Sequence, residues 1–294
     1  MLTDKVHGMN TMGFIGAGTV GTALAARLRE KGYPVTAVAS RTRASAERLA
    51  GMVDGCVVHD SGQAVADVAE MVFITTPDDA IAEVAAQTNW HSGQSVIHCS
   101  GAESLDILEP ATKAGAQAGA FHPLQTLASV EHAMQNIPGS TFALEAEEPL
   151  LGTLKEMVNA LQGWWIELRP GDKVLYHAAA VIACNYLVTL VRLATDLWQT
   201  FGVSTEDATQ ALLPLLRGTV NNLGSVGLPN CLTGPVARGD VGTIQKHLEA
   251  MEARAPALLA VYRELGRQTV PIALAKGRID EEKAKGLLKI LGQD

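Results

Sequence analysis

Basic residues are scarce in this 294-residue chain: 23 Lys and Arg stand against 31 Asp and Glu, a formal net charge of −8. A surface short of cations does not bind a phosphate backbone, so nucleic acid is not an expected partner. An anionic cofactor stays open, because a local pocket can be positive on an acidic protein. Cysteine is scarce too. Cys56, Cys99, Cys184 and Cys231 are widely spaced and match no zinc pattern. They read as small apolar residues of a reduced, cytoplasmic protein. The histidines at 7, 59, 91, 98, 122, 132, 177 and 247 show no metal-ligand spacing with carboxylates, and neither a P-loop nor a nucleophile elbow occurs. Met1 to Asn10 holds charges and no apolar run, so no signal peptide is expected. The longest apolar stretch, Ala178 to Leu190, is interrupted by Asn185 and is too short to span a bilayer. There is no internal repeat and no low-complexity segment. The few charges and high apolar fraction fit a large core and a subunit interface.

What is present is concentrated in Met12 to Arg43, MGFIGAGTVGTALAARLREKGYPVTAVASRTR. A short apolar run enters Gly16, Gly18 and Gly21 in the spacing G-x-G-x-x-G. A helical pattern follows to Lys31, and a second apolar run starts at Val35. That order gives the glycines meaning: Gly16 permits a sharp turn, Gly18 lets the backbone approach a pyrophosphate, and Gly21 lets the helix pack close to the sheet. With Ala17, Thr19 and Val20 they form the expected cradle, backed by the helix's free N–H groups and positive dipole end. An NAD site places an acidic residue at the end of the second strand; this chain has Ser40-Arg41-Thr42-Arg43 instead. Arginine matches a 2′-phosphate, and two cations at a helix N-terminus call for an anion to offset them. The expected cofactor is NADP(H), bound by Gly16 to Gly21, Ser40, Arg41 and Arg43.

Strand-like runs alternate with helical patterns through the first half: Val35 to Ala39, Cys56 to His59, Met71 to Thr75, Ser95 to Cys99, Gly115 to Phe121, Thr141 to Leu144 and Trp164 to Leu168. From Asp172 the pattern becomes helical: Lys173 to Phe201, Thr205 to Arg217, Gly239 to Leu265, divided or kinked at Pro256, and Asp280 to Leu291. The expected architecture is α/β, a doubly wound Rossmann-type sheet domain over residues 1–170 followed by an all-helical domain over 171–294. Asp172 is a good helix cap. The crevice between the domains is the default ligand site.

Several strand ends carry chemistry. Thr76 and Pro77 close the fourth strand, where backbone can contact the cofactor; Asp78 can cap the next helix. Ser100, in His98-Cys99-Ser100-Gly101, can donate to a carbonyl, whereas His98 reads as structural. His122 can protonate a substrate oxygen or simply bond to backbone in a proline turn. On the long helix, Tyr176-His177 and Asn185 stand in LYHAAAVIACNYL, with His177 and Asn185 on nearly the same face beside small residues. A buried asparagine needs a partner, either substrate or backbone. Thr233 and Arg238, in LTGPVARGD, can bind a substrate carboxylate, or Arg238 can pair with Asp240, itself a candidate helix cap.

With GFIGAGTVG, SRT, ITTPDD, HCSGA, FHPLQTL, YHAAAVIACNYL and LTGPVARGD in place, the chain resembles two-domain NADP oxidoreductases related to 6-phosphogluconate dehydrogenase, beta-hydroxyacid dehydrogenases and pyrroline-carboxylate reductase. It is most similar to a branch whose helical C-terminal domain has no known function. The resemblance implies hydride transfer between NADP(H) and a small carbonyl, hydroxyl or imine substrate, and a homodimer through the helical domain. Beta-hydroxyacid dehydrogenases place a lysine one turn before the asparagine; here Asn185 matches, but that position is Val181. His177 is the nearest replacement as general acid or base, with Ser100 and His122 in reserve. Asn185 would orient the substrate, and Thr233 or Arg238 would hold its polar end. An imine reductase of the pyrroline-carboxylate reductase type, or a non-catalytic NADP(H)-binding sensor, are the alternatives.

Overall fold

The structure, a computed structural model, describes residues 10–292; the N-terminal stretch read for a signal peptide and His7 lie almost wholly outside them. The short apolar runs become eight strands: β1 Met12–Ile15, β2 Val35–Ala39, β3 Val57–Val58, β4 Met71–Ile74, β5 Ser95–His98, β6 Gln117–Leu124, β7 Thr141–Ala146 and β8 Trp164–Glu167. They form one sheet in the order β3-β2-β1-β4-β5-β6-β7-β8. Pairing is parallel from β3 to β6; β7 is antiparallel to β6 and parallel to β8. The strands β1, β4 and β5 are buried throughout, as a parallel sheet covered on both faces requires. Phe14, Phe73, Phe121 and Phe142 run across one face in ring contacts 4.7 to 6.1 Å apart.

Two local expectations are corrected. His122 and Pro123 do not stand in a proline turn: β6 runs on to Leu124, because β7 pairs with it residue by residue, Pro123 opposite Phe142. An antiparallel partner holds the backbone extended, a conformation proline tolerates. Asp172 does not cap the next helix; its Oδ2 accepts the Arg169 N–H at 3.2 Å and so closes the preceding turn.

The described residues divide into two compact units, one ending at Cys184 and one starting at Asn185. The division falls inside a single helical run: an α-helix Lys173–Ala180, a π-helical turn Val181–Asn185, and an α-helix Tyr186–Gln199. The wider π turn changes which side chains share a face before and after it. Taken as a whole, the 27 residues Lys173–Gln199 are long and apolar enough to cross a membrane by length and composition, which the shorter stretch Ala178 to Leu190 was not.

The second unit is helical. Its core gathers Val236, Ile244, Leu248, Val270, Ala273 and Leu287 from its later helices. Thr205–Val226 runs nine residues past the expected end at Arg217, and Pro256 divides Val241–Arg254 from Leu259–Ala275. Gly218 did not stop the former; the helix ends at Gly227, which has φ +65°.

Candidate functional site

Gly16, Gly18 and Gly21 divide three tasks. Gly16 has φ +109°, and a Cβ there would lie 2.7 Å from Thr75 and Thr76 backbone atoms, so the turn out of β1 admits no other residue. At Gly21 a Cβ would lie 2.4 Å from Thr75 Oγ1 and 2.6 Å from the Gly16 carbonyl oxygen. Glycine alone lets the helix Thr19–Glu30 pack this close to the sheet. Gly18 is the opposite case: nothing lies within 4 Å of its missing Cβ. The backbone is open to a ligand there, and the helix starts without a side-chain cap or an acidic residue in its first turn. Its first N–H groups are left for an anion.

A cleft of about 720 Å³ covers these turns. It opens at the carboxyl ends of β1, β2 and β4, where the strand order reverses, the place where doubly wound sheets hold dinucleotides. Ala17, Gly18, Thr19, Ser40, Thr76 and Pro77 line it, whereas Val20 does not. Thr76 Oγ1 is buried without a hydrogen-bond partner, a group a bound ligand would satisfy. At the other end Arg41, Ser45 and Arg48 line the cleft. Arg43 is turned away: it bonds Glu47 at 3.0 Å and Asp60 at 2.8 Å. Asp60 itself lines the cleft, so the neighbouring strand supplies the acidic residue missing after β2, and Arg43 offsets its charge. An open phosphate turn, a free helix N-terminus, an orphaned hydroxyl and two arginines fit a phosphorylated dinucleotide.

At the ends of β5 and β6, one strand beyond the cleft, lies a cluster of polar side chains. His122 Nδ1 is 2.7 Å from Tyr176 Oη, and the His177 ring stands edge-on to His122 at 6.5 Å. Both imidazoles close over Gly101, where a Cβ would meet His122 Nε2 at 2.8 Å and His177 Cδ2 at 2.9 Å. Ser100 donates to Asp78 Oδ2 at 2.8 Å and accepts the Ala102 and Glu103 N–H groups at 3.2 and 3.1 Å. A hydroxyl has one donor and two acceptor positions, all in use here, so Ser100 shapes the Gly101 loop. Asp78 is the acceptor of that bond and does not cap its own helix, whose cap position is Pro77.

Below the loop, His98 Nδ1 accepts the Ser100 N–H at 3.2 Å. Lys173, 2 % exposed, donates to the Glu103 carbonyl at 2.7 Å and lies 3.4 Å from His98 Nε2. Burial pushes His98 down to about 3 and His122 to about 4, with Lys173 acting in the same direction; both rings are neutral at pH 7. Burial also raises Tyr176 to about 12 and lowers Lys173 to about 8, the latter against the pull of Glu145.

Sequence reasoning missed Gly101, Arg48 and Lys173. Arg48 had a signal: it follows Ser45 by three residues on the helix Arg43–Met52, hence on the same face. Lys173 had one as well, a lone cation one turn before Tyr176 and His177. Nothing in the sequence placed Gly101 beneath two histidines.

Residues 4–123 match the Rossmann-like domain family, and residues 140–269 match a domain of unknown function, DUF2520. This chain joins a Rossmann-like domain to a DUF2520 domain. Among solved structures it is similar to a Bacteroides fragilis protein described as an NADP oxidoreductase, at 25% identity and TM-score 0.69, over 90% of this chain and 98% of that one. A Thermotoga maritima protein matches at 25% identity and TM-score 0.71, over 91% and 100% of the two chains. A reductive aminase from Aspergillus terreus, solved with NADPH and ethyl levulinate, shares the fold at 18% identity and TM-score 0.66, over 96% and 99%. No curated protein matches.

The DUF2520 region holds the remaining expected residues. Asn185 ends the π turn. Thr233 and Arg238 are exposed, at the two ends of the segment around the short helix Pro235–Arg238. Arg238 does not pair with Asp240, which caps the next helix by accepting the Thr243 N–H at 3.0 Å and the Thr243 hydroxyl at 2.7 Å.

Proposed function

We propose that this chain is an NADP(H)-dependent oxidoreductase that passes hydride to or from a small carbonyl or hydroxyl substrate. The observation that carries this reading is the open turn at Gly18, set in a cleft with Arg41 and Arg48 at one end and Thr76 at the other. Similarity to the Bacteroides fragilis protein described as an NADP oxidoreductase supports it. When bound, the cofactor supplies or takes the hydride at its nicotinamide.

Residues 1–170 serve as the cofactor domain and 171–294 as the substrate and dimerisation domain. His177 gives or takes the proton at the substrate oxygen as general acid or base. His122 and Tyr176 hold the ring's surroundings, and Ser100 holds the Gly101 loop. Asn185, Thr233 and Arg238 receive the substrate's polar end. The test is NADPH oxidation with a panel of ketones, aldehydes and imines, beside direct binding of NADPH and NADH. Turnover with a carbonyl, lost in His177→Ala, is the expected result. Tight NADPH binding without turnover on any substrate would replace this reading with a sensor.

Imine reduction is a second reading, favoured by Val181 in the place of the expected lysine. An iminium accepts hydride without a strong acid nearby, so turnover with imines alone, insensitive to His177→Ala, would select it.

The chain acts as a cytoplasmic homodimer through its helical region. The helices Tyr186–Gln199 and Thr205–Val226 leave Leu187, Val188, Leu215, Val220 and Leu223 exposed, and large apolar side chains gathered on exposed helices mark an interaction surface. A second copy covers it in this reading. Light scattering of the detergent-free protein should give twice the chain mass; a monomer, or protein found only in membranes, would overturn this.

A further inference from the structure

The Lys173 ammonium does not suit the place it occupies. His98 Nδ1 accepts the Ser100 N–H at 3.2 Å, so that nitrogen carries no proton. In a neutral imidazole the proton then sits on Nε2, and Nε2 faces Lys173 Nζ at 3.4 Å. An ammonium has only donors and would set N–H against N–H. A neutral amine has a lone pair for His98 and still has an N–H for the Glu103 carbonyl, 2.7 Å away.

We propose that Lys173, once deprotonated, positions the candidate site as a neutral amine, accepting from His98 Nε2–H and donating to the Glu103 carbonyl. The two contacts lie on either side of Gly101, in the segment His98–Glu103. Lys173 also starts the helix that carries Tyr176 and His177 one turn later. It thereby fixes those two side chains over the loop. Burial lowers Lys173 to about 8, so the amine prevails above that pH and the ammonium below it. The groups that face it are Glu145 on β7, Cys99 and His98 at the end of β5, Asp78, Glu103, and His122 on β6. Of these the acidic groups pull toward the ammonium, while His98 and His122 are neutral. The inference deepens the site assigned above but does not depend on its chemistry.

The experiment uses the whole protein labelled with ¹⁵N in lysine and histidine. Lys173→Met assigns the Lys173 Nζ signal in the wild type. That signal should titrate near pH 8, and a protected His98 Nε2–H signal should persist above that pH. Titration together with ordinary lysines near 10.4 would overturn the proposal. Two further variants separate an amine from a cation. Lys173→Gln keeps one donor and one acceptor without charge, and Lys173→Arg keeps only charge and donors. The glutamine variant should retain the His98 Nε2–H signal and the arginine variant should lose it; the reverse order would make Lys173 a structural cation. Should either variant fail to fold, the wild-type titration still decides. Because none of these readouts needs turnover, an absence of NADPH oxidation would fail the oxidoreductase reading alone.

Discussion

His122 Nδ1 and Tyr176 Oη lie 2.7 Å apart, joining a strand of the sheet to the first turns of the long helix across 54 residues of sequence. Both residues are half-buried, and each is the other's hydrogen-bond partner. Tyr176→Phe removes the partner of a half-buried imidazole nitrogen. The expected cost is about 0.5–1.5 kcal/mol of unfolding free energy, read by denaturant titration. NADPH affinity should stay as in the wild type, since Tyr176 does not line the cleft.

The glycines make a paired prediction. Gly18→Ala adds a methyl into open space, so stability should hardly change while NADPH binding is lost, because the methyl occupies the phosphate approach. Gly21→Ala drives a methyl against Thr75 and the Gly16 carbonyl and should destabilise the fold by about 1–3 kcal/mol. Thermal unfolding beside cofactor titration checks both.

Arg41 and Arg48 line the cleft and Arg43 does not. A hydrogen bond to a charged group is worth about 1.5–3 kcal/mol. Arg41→Ala and Arg48→Ala should therefore each weaken NADPH binding about ten- to hundredfold and leave NADH nearly unaffected. Arg43→Ala should have a smaller effect, through the released charge of Asp60. Dissociation constants for the two cofactors decide this.

His98 and His122 are neutral in the folded protein, held at about 3 and about 4 against 6.5 for the free side chain. Below pH 6.5 the unfolded chain binds protons that the folded one does not, so stability falls as pH falls from 6.5 toward 4. Unfolding midpoints across that range should show the decline. His98→Gln, which can accept the Ser100 N–H without titrating, should reduce the decline by about half, His122 accounting for the rest.

Lys173 has the same sign at the other end of the scale. Its folded value of about 8 lies below its free value of 10.5. Between these the unfolded chain binds the extra proton, and stability rises with pH by up to about 3 kcal/mol. Wild-type protein compared with Lys173→Met between pH 7 and 10.5 should show this gain, and Lys173→Met should lack it.

Much of the first unit was legible in order. Strong periodicity and the G-x-G-x-x-G spacing gave β1, β2, the helix between them and the separate jobs of Gly16, Gly18 and Gly21, because those jobs are local backbone geometry. Element ends were less legible. β6 extends through Pro123 because β7 pairs with it, and Thr205–Val226 continues through Gly218 because tertiary packing outweighs one residue's helix propensity. The sequence offered Arg43 as a phosphate ligand and did not single out Arg48. The structure separates them through Asp60, which arrives at the cleft from another strand.

The sequence by itself determined the alternation of strand and helix, the phosphate turn after β1, and the arginines after β2, since each rests on neighbours in the chain. Only the tertiary structure decided that Gly101 lies beneath His122 and His177, that Ser100 spends its hydroxyl on its own loop, and that Lys173 is buried against His98. Those relationships join β5, β6 and a helix that starts some fifty to seventy-five residues later. They exist only where strand order brings the carboxyl ends of β5 and β6 together with the start of that helix, and burial there sets which side chains carry charge.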